Sequence, residues 1–237
     1  MHTHAGHAGP TARHHQMASA HWPSGTSGDS YPARRNAARL LDRIFRAGER
    51  TFVMIDGANI SRSLRRMSFR MDFEAFKNEI DSRCNLFRIG YFVSLVNQSD
   101  LDTKIPEERR INFKRVRSFV QVLSRLGYTI YSRETRVISA RSEDDDQVIK
   151  GNVDVLLTCA AMDETAHVDH VVLMTGDGDF VEVVNRLKAK GKRVTVIATS
   201  WRGENGAAST SCDLRAAADA YLDLEDIFPL MQRSVGE

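Results

Sequence analysis

Two short stretches place carboxylates and tight-turn residues directly after an apolar run. Asp56-Gly57-Ala58-Asn59 follows Thr-Phe-Val-Met-Ile at 51–55, and Thr175-Gly176-Asp177-Gly178-Asp179 follows His-Val-Val-Leu-Met at 170–174. Asp154 stands in a third stretch, Lys150-Gly151-Asn152-Val153-Asp154, where an apolar helical pattern begins. Carboxylates that converge on one point repel one another unless a cation lies between them. An all-oxygen donor set without His or Cys suits Mg²⁺ or Mn²⁺ and argues against zinc. Such ions activate water and stabilise the charge on a phosphate in transit. Each aspartate alone also has an ordinary explanation. Asp-Gly is common turn chemistry, Asp179 suits the cap of the helix starting at Phe180, and Asp154 suits a helix dipole. Their joint placement is the stronger signal.

The elements that must position these groups follow from hydrophobic periodicity. Apolar runs at 51–55, 86–96, 128–131, 170–174 and 193–198 read as strands. Helical spacing marks 72–83, 106–126, 152–162 and the segment from Phe180 to Gly191, with Gly127 and Gly191 as stops. A short helix over 213–220 and the run 221–224 close the pattern. Strands alternating with helices imply β-α-β crossovers and a parallel sheet whose strands are covered on both faces. The fold class is therefore α/β, with a central, mainly parallel sheet of about five strands. In such sheets the chemistry lies beyond the carboxyl ends of the strands, where Asp56 and Asp177 fall.

Residues 1–36 are rich in His, Gly, Ser and Ala, carry His2, His4, His7, His14, His15 and His21, and lack apolar period. They are expected to be a disordered tail, followed by a short helix within 37–50, the folded domain over 51–228 and a C-terminal tail at 229–237. The chain has 237 residues, 33 Lys+Arg against 31 Asp+Glu, and a net charge of +2, which excludes indiscriminate coating of a polyanion. No apolar run is long enough for a membrane span, and the start lacks a secretory signal. Cys84, Cys159 and Cys212 are too scattered for a disulfide framework or a zinc site. A reducing, cytoplasmic location is the expectation. Gly176–Val181 begins like a dinucleotide-binding turn, but Val181 stands at the third glycine position and two carboxylates would repel a pyrophosphate. There is no Walker A motif and no G-x-S-x-G elbow.

With these residues in place, the chain resembles the NYN domain family, in particular its LabA-like branch within the PIN-like nuclease group. Asp56-Gly57-Ala58-Asn59 is similar to the opening D-G-x-N, Lys150–Val155 to K-G-x-V-D, Thr175–Phe180 to S-G-D-x-D-F, and Leu214–Leu224 to the closing L-x-x-x-A-D-x-F-x-x-L. The resemblance implies a Rossmann-like three-layer α/β/α sandwich and a metal-dependent ribonuclease site. By position Asp56, Asp154, Asp177 and Asp179 would bind Mg²⁺ or Mn²⁺, and Asn59 would orient a ligand or water. Many relatives carry a further Asp where this chain has Ala160, and Thr175 replaces the usual Ser.

A ribonuclease must also neutralise phosphate. Arg62, Arg65, Arg66 and Arg70 follow Asn59 without an intervening acid, and Arg110, Lys114 and Arg117 form a basic face on the 106–126 helix. With Lys150 these are the candidate RNA contacts. Lys188, Lys190, Lys192 and Arg193 fall at the opposite end of the sheet and read as structural. Phe69 reads as a core anchor in preference to a base-stacking platform. The expected partner is RNA, single-stranded or structured; a homodimer stays open. One alternative is a binding or regulatory module with a lapsed site, motivated by Ala160. A Toprim-like site is a lesser alternative, since that site opens with Glu and leaves Asp154 unexplained.

Overall fold

The structure is a computed structural model and describes residues 30–135, 153–200 and 209–232. Most of the His-rich segment, the acidic cluster 143–146, Lys150 and the loop residues 201–208 lie outside them.

Near-continuous apolar sequence is what a strand needs when helices cover both of its faces. β1 (Arg50–Asp56), β4 (His170–Met174) and β5 (Arg193–Ala198) are such strands, with almost every residue buried. They are joined by β2 (Asn85–Val96), β3 (Thr129–Thr135) and β6 (Ala220–Asp223) in one parallel sheet of order β3-β2-β1-β4-β5-β6. The sheet thus has six strands. The sixth is the run expected to close the domain, which pairs with β5 through Thr195–Ala198.

Side chains alternate across the sheet. Val53, Ile55, Ile89, Tyr91 and Val93 face a core completed by α1 (Ser30–Ile44), α2 (Gly57–Arg66), α3 (Phe73–Asp81), α5 (Glu107–Arg125) and the 3₁₀ helix Glu225–Leu230. Phe52, Met54, Phe92, Leu173 and Val196 face the other core, covered by α6 (Val153–Asp163), α7 (Val181–Ala189) and α8 (Cys212–Ala217). Short α4 (Gln98–Thr103) seals a third, small cluster of Val96, Leu101 and Ile105 beyond the end of β2. The result is the three-layer sandwich that the resemblance implies.

α1 begins at Ser30, ahead of the expected 37, and packs on the Glu225–Leu230 helix, where Arg34 Nη1 donates to the Pro229 carbonyl at 2.8 Å. Ala37, Leu41 and Ile44 of α1, and Phe45 just after it, are buried in the core on this face of the sheet. α5 and α7 stop at Gly127 and Gly191, whose φ of 86° and 76° suits glycine.

The strand order fixes where ligands can reach. From β1 the chain moves outward to β2 and β3, then returns to β4 on the other side of β1 and moves outward through β5 and β6. The reversal lies between β1 and β4, and its crevice opens at their carboxyl ends.

Candidate metal and nucleic-acid site

Both strands flanking the crevice end in groups that cap the helix that follows. Asp56 is the last residue of β1 and the N-cap of α2. Its Oδ1 accepts from the Asn59 amide at 3.1 Å, and its Oδ2 accepts from Thr175 Oγ1 at 3.0 Å. Asp56 as a whole is 5% exposed. Burial pushes its pKa up, the hydrogen bonds from Asn59 and Thr175 oppose this, and the Asp177 charge pushes it further up.

At the end of β4, the Thr175 hydroxyl also accepts from the Asp177 amide at 3.2 Å. Asp177 caps the 3₁₀ helix Gly178–Phe180 by accepting from the Asp179 amide at 3.0 Å. Asn59 crosses between the two strand ends, its Oδ1 accepting from the Gly176 amide at 3.0 Å. A backbone N–H requires an oxygen here, so Nδ2 is the part of the Asn59 amide left for a ligand. Gly176 is needed at this crossing, since a Cβ would come within 2.6 Å of the Ser209 carbonyl oxygen.

Asp154 arrives from a third element, the first turn of α6. Its pKa is raised by partial burial and then by the charges of Asp56, Asp177 and Asp179. That repulsion means the four sequence-predicted carboxylates share one electrostatic neighbourhood. They do not close into a cage: among the described residues, no three His, Cys, Asp or Glu side chains form a metal-holding group. The donors present still fit a hard divalent cation chemically. They are oxygens, their mutual repulsion calls for positive charge, and an open rim suits an ion that keeps much of its own water, as Mg²⁺ does.

The basic residues divide into two sets. Arg62, Arg65, Arg66 and Arg70 are exposed on or just beyond α2. α2 stays at the rim along its length: Met67, which caps its end, meets Thr199 just past β5, with Sδ 3.4 Å from the Thr199 hydroxyl. On α5 the guanidiniums of Arg110 and Arg117 are committed to backbone. Arg110 donates to the carbonyls of Ile105 and Asp102, both at 2.7 Å, and Arg117 donates to the Val96 carbonyl. These bonds tie α5 to α4 and to the end of β2. Lys114 lines a shallow exposed groove with Glu107, Glu108, Arg110 and Ile111. Lys150 lies outside the described residues.

Phe69 is a core anchor, stacked on Phe228 with ring centroids 3.5 Å apart. Lys188 pairs with Asp219, and Arg193 pairs with Glu49 at the far end of the sheet. Thr175 is the participant that sequence reasoning undervalued. Its one signal was its place between a buried strand and Gly-Asp-Gly-Asp.

Comparison with known proteins agrees with this architecture. The NYN domain model matches residues 50–225. Low amplitude and bright protein LabA of Synechococcus elongatus is 28% identical over 118 residues, 50% of this chain and 60% of LabA, so the match spans about three-fifths of that relative's length. A crystal structure of a Vibrio parahaemolyticus protein of unknown function superposes with a TM-score of 0.52 at 21% identity, covering 76% of this chain and 96% of that one. Its likeness speaks for the fold alone. The family model spans β1 to β6 and takes in both strand-end motifs and Asp154. The chain belongs to the NYN domain family, on its LabA-like side.

Proposed function

We propose that the protein is a metal-dependent ribonuclease that hydrolyses RNA phosphodiester bonds at the β1–β4 crevice. The observation that carries this is the hydrogen bond from Thr175 to Asp56, which joins the ends of β1 and β4 and sets the Asp56 carboxyl beside Asp177 and Asp179; the same three charges raise the pKa of Asp154 at the start of α6. Asp56, Asp154, Asp177 and Asp179 would hold Mg²⁺ or Mn²⁺. When bound, the ion would lower the pKa of attacking water and neutralise charge developing on the phosphate. The protein's own part is positional. Thr175 and Asn59 fix the Asp56 carboxylate and lock the two strand ends at one spacing. Asn59 Nδ2 would orient water or a phosphate oxygen. Arg62, Arg65, Arg66 and Arg70 along α2, with Lys114, would attract the RNA backbone.

A second reading is favoured by Ala160, buried in α6 at a position where the family resemblance implies a carboxylate. It makes the protein an RNA-binding regulator with a lapsed site. No described helix is long and apolar enough to cross a membrane, and the proposed setting is the cytoplasm.

Incubation of the purified protein with a fluorophore–quencher RNA and Mn²⁺ separates the readings. The nuclease cleaves, EDTA stops it, and Asp56→Asn or Asp177→Asn abolishes it. Cleavage unchanged by both substitutions would falsify the proposal. Salt-sensitive binding without turnover would support the regulator.

A further inference from the structure

β2 and β3 run past the end of β1. Asp56, the last residue of β1, is level with Phe92, and Phe92 is level with Tyr131. The Phe92 and Tyr131 rings stack at 4.4 Å, so both lie on the face covered by α6. Two residues further along the same face, Ser94 stands level with Arg133. By sheet geometry the Cα atoms of Ser94 and Asp56 are on the order of 8 Å apart, one strand over and two residues on. α6 packs across β1, β2 and β3 on this face. Its last turn is near Arg88, where Glu164 pairs with that arginine, so its first turn, bearing Asp154, is at the Ser94 end.

Ser94 does not suit its surroundings. Its neighbours in the strand are Phe92, Val93, Leu95 and Val96, and a β-branched apolar residue would pack better there. Its Oγ is buried and has no hydrogen-bond partner. Such a group is costly unless something satisfies it. Beside it Arg133 is exposed, and no carboxylate among the described residues pairs with it. Another arginine on this face, Arg88, is held by Glu164 and by the Tyr131 hydroxyl at 2.9 Å.

We propose that Ser94 and Arg133 form a phosphate subsite, which takes the backbone phosphate next to the scissile one in a single-stranded RNA. Ser94 is itself partly exposed, and its buried hydroxyl turns outward about χ1 to donate to a phosphate oxygen, while Arg133 supplies the opposing charge. The strand then crosses the carboxylate rim from the α2 arginines to the β2–β3 overhang. This rests on the reading of the rim as a site acting on RNA. It adds a contact on the side of the site away from the α2 arginines.

The test measures binding of fluorescein-labelled oligouridine by anisotropy in EDTA over a range of salt, with melting temperature as the control for folding. Arg133→Gln is expected to weaken binding about tenfold and to reduce the salt slope by about one phosphate contact. Arg133→Lys keeps the slope. Ser94→Ala is expected to weaken binding roughly threefold while its melting temperature stays or rises, because the orphaned hydroxyl is gone. A merely structural serine would give the reverse. Wild-type affinity and slope in both Ser94→Ala and Arg133→Gln overturn the subsite, whether or not the protein cleaves RNA. So does a wild-type protein that binds no oligouridine. Wild-type binding without Mn²⁺-dependent cleavage, weakened by both substitutions, overturns the nuclease reading and leaves Ser94 and Arg133 as a phosphate contact of an RNA-binding rim.

Discussion

The Thr175 hydroxyl donates to Asp56 Oδ2 at 3.0 Å, joining the ends of two adjacent parallel strands that lie 119 residues apart in the chain. The same oxygen accepts from the Asp177 amide, so one side chain sets the relation between both halves of the carboxylate rim. Thr175→Val keeps the shape and removes the donor and acceptor together. It leaves a buried carboxylate short of a partner, and is expected to cost about 1–3 kcal/mol in urea unfolding. Thr175→Ser keeps the hydroxyl and should cost less than about 1 kcal/mol. Equal stability of the valine variant and wild type would show that the bond carries nothing.

Asp154 offers a contrast between function and stability. It is exposed and repelled by three other carboxylates, so Asp154→Asn should leave the melting temperature unchanged or raise it. The same substitution should abolish Mn²⁺-dependent cleavage. A variant that melts lower and still cleaves would contradict both expectations.

At the far end of the sheet, His170 is fully buried, with Nε2 2.8 Å from Thr195 Oγ1. Burial first, then the charges of Arg193 and Arg46, lower its pKa to about 3 from 6.5. The folded protein thus holds His170 neutral where the unfolded chain takes up a proton. Stability contributed this way is complete above pH 6.5 and is lost as pH falls toward 3. In that window the slope should approach about 1.4 kcal/mol per pH unit. His170→Gln should flatten it, as measured by urea unfolding at several pH values.

Glu225 works in the opposite sense. Burial and then the adjoining Asp223 carboxyl push its pKa up from 4.5 to about 7, against a hydrogen bond from Thr199. The fold therefore favours the protonated acid. Its contribution is complete below pH 4.5 and is lost as pH rises through 7. Glu225→Gln, which cannot ionise, is expected to be more stable than wild type in thermal melts above neutral pH. A lower melting temperature at pH 8 would count against the raised pKa of Glu225.

Much of the site was visible in sequence because buried parallel strands announce themselves. The runs at 51–55 and 170–174 located both strand ends, and with them Asp56 and Asp177. α2 was harder to see: in Gly-Ala-Asn-Ile-Ser-Arg-Ser-Leu-Arg-Arg only Ile60 and Leu64 mark an apolar face. Arg110 and Arg117 fitted a basic stripe on α5, yet their hydrogen bonds go to carbonyls that only the tertiary fold brings near. Periodicity says which face a residue is on, and is silent on which carbonyl waits there. The early start of α1 escaped for a related reason, since the surface it packs on comes from the other end of the chain.

The reversal of strand order between β1 and β4 also has a consequence in time. A chain emerging from the ribosome exposes Asp56 and Asn59 long before Thr175, Asp177 and Asp179 exist to meet them. Strand pairing across such a separation is slow to form. On the proposed reading, cleavage becomes possible only after synthesis has passed β4, when both halves of the carboxylate rim exist. In refolding, recovery of cleavage should accordingly trail recovery of helical circular dichroism.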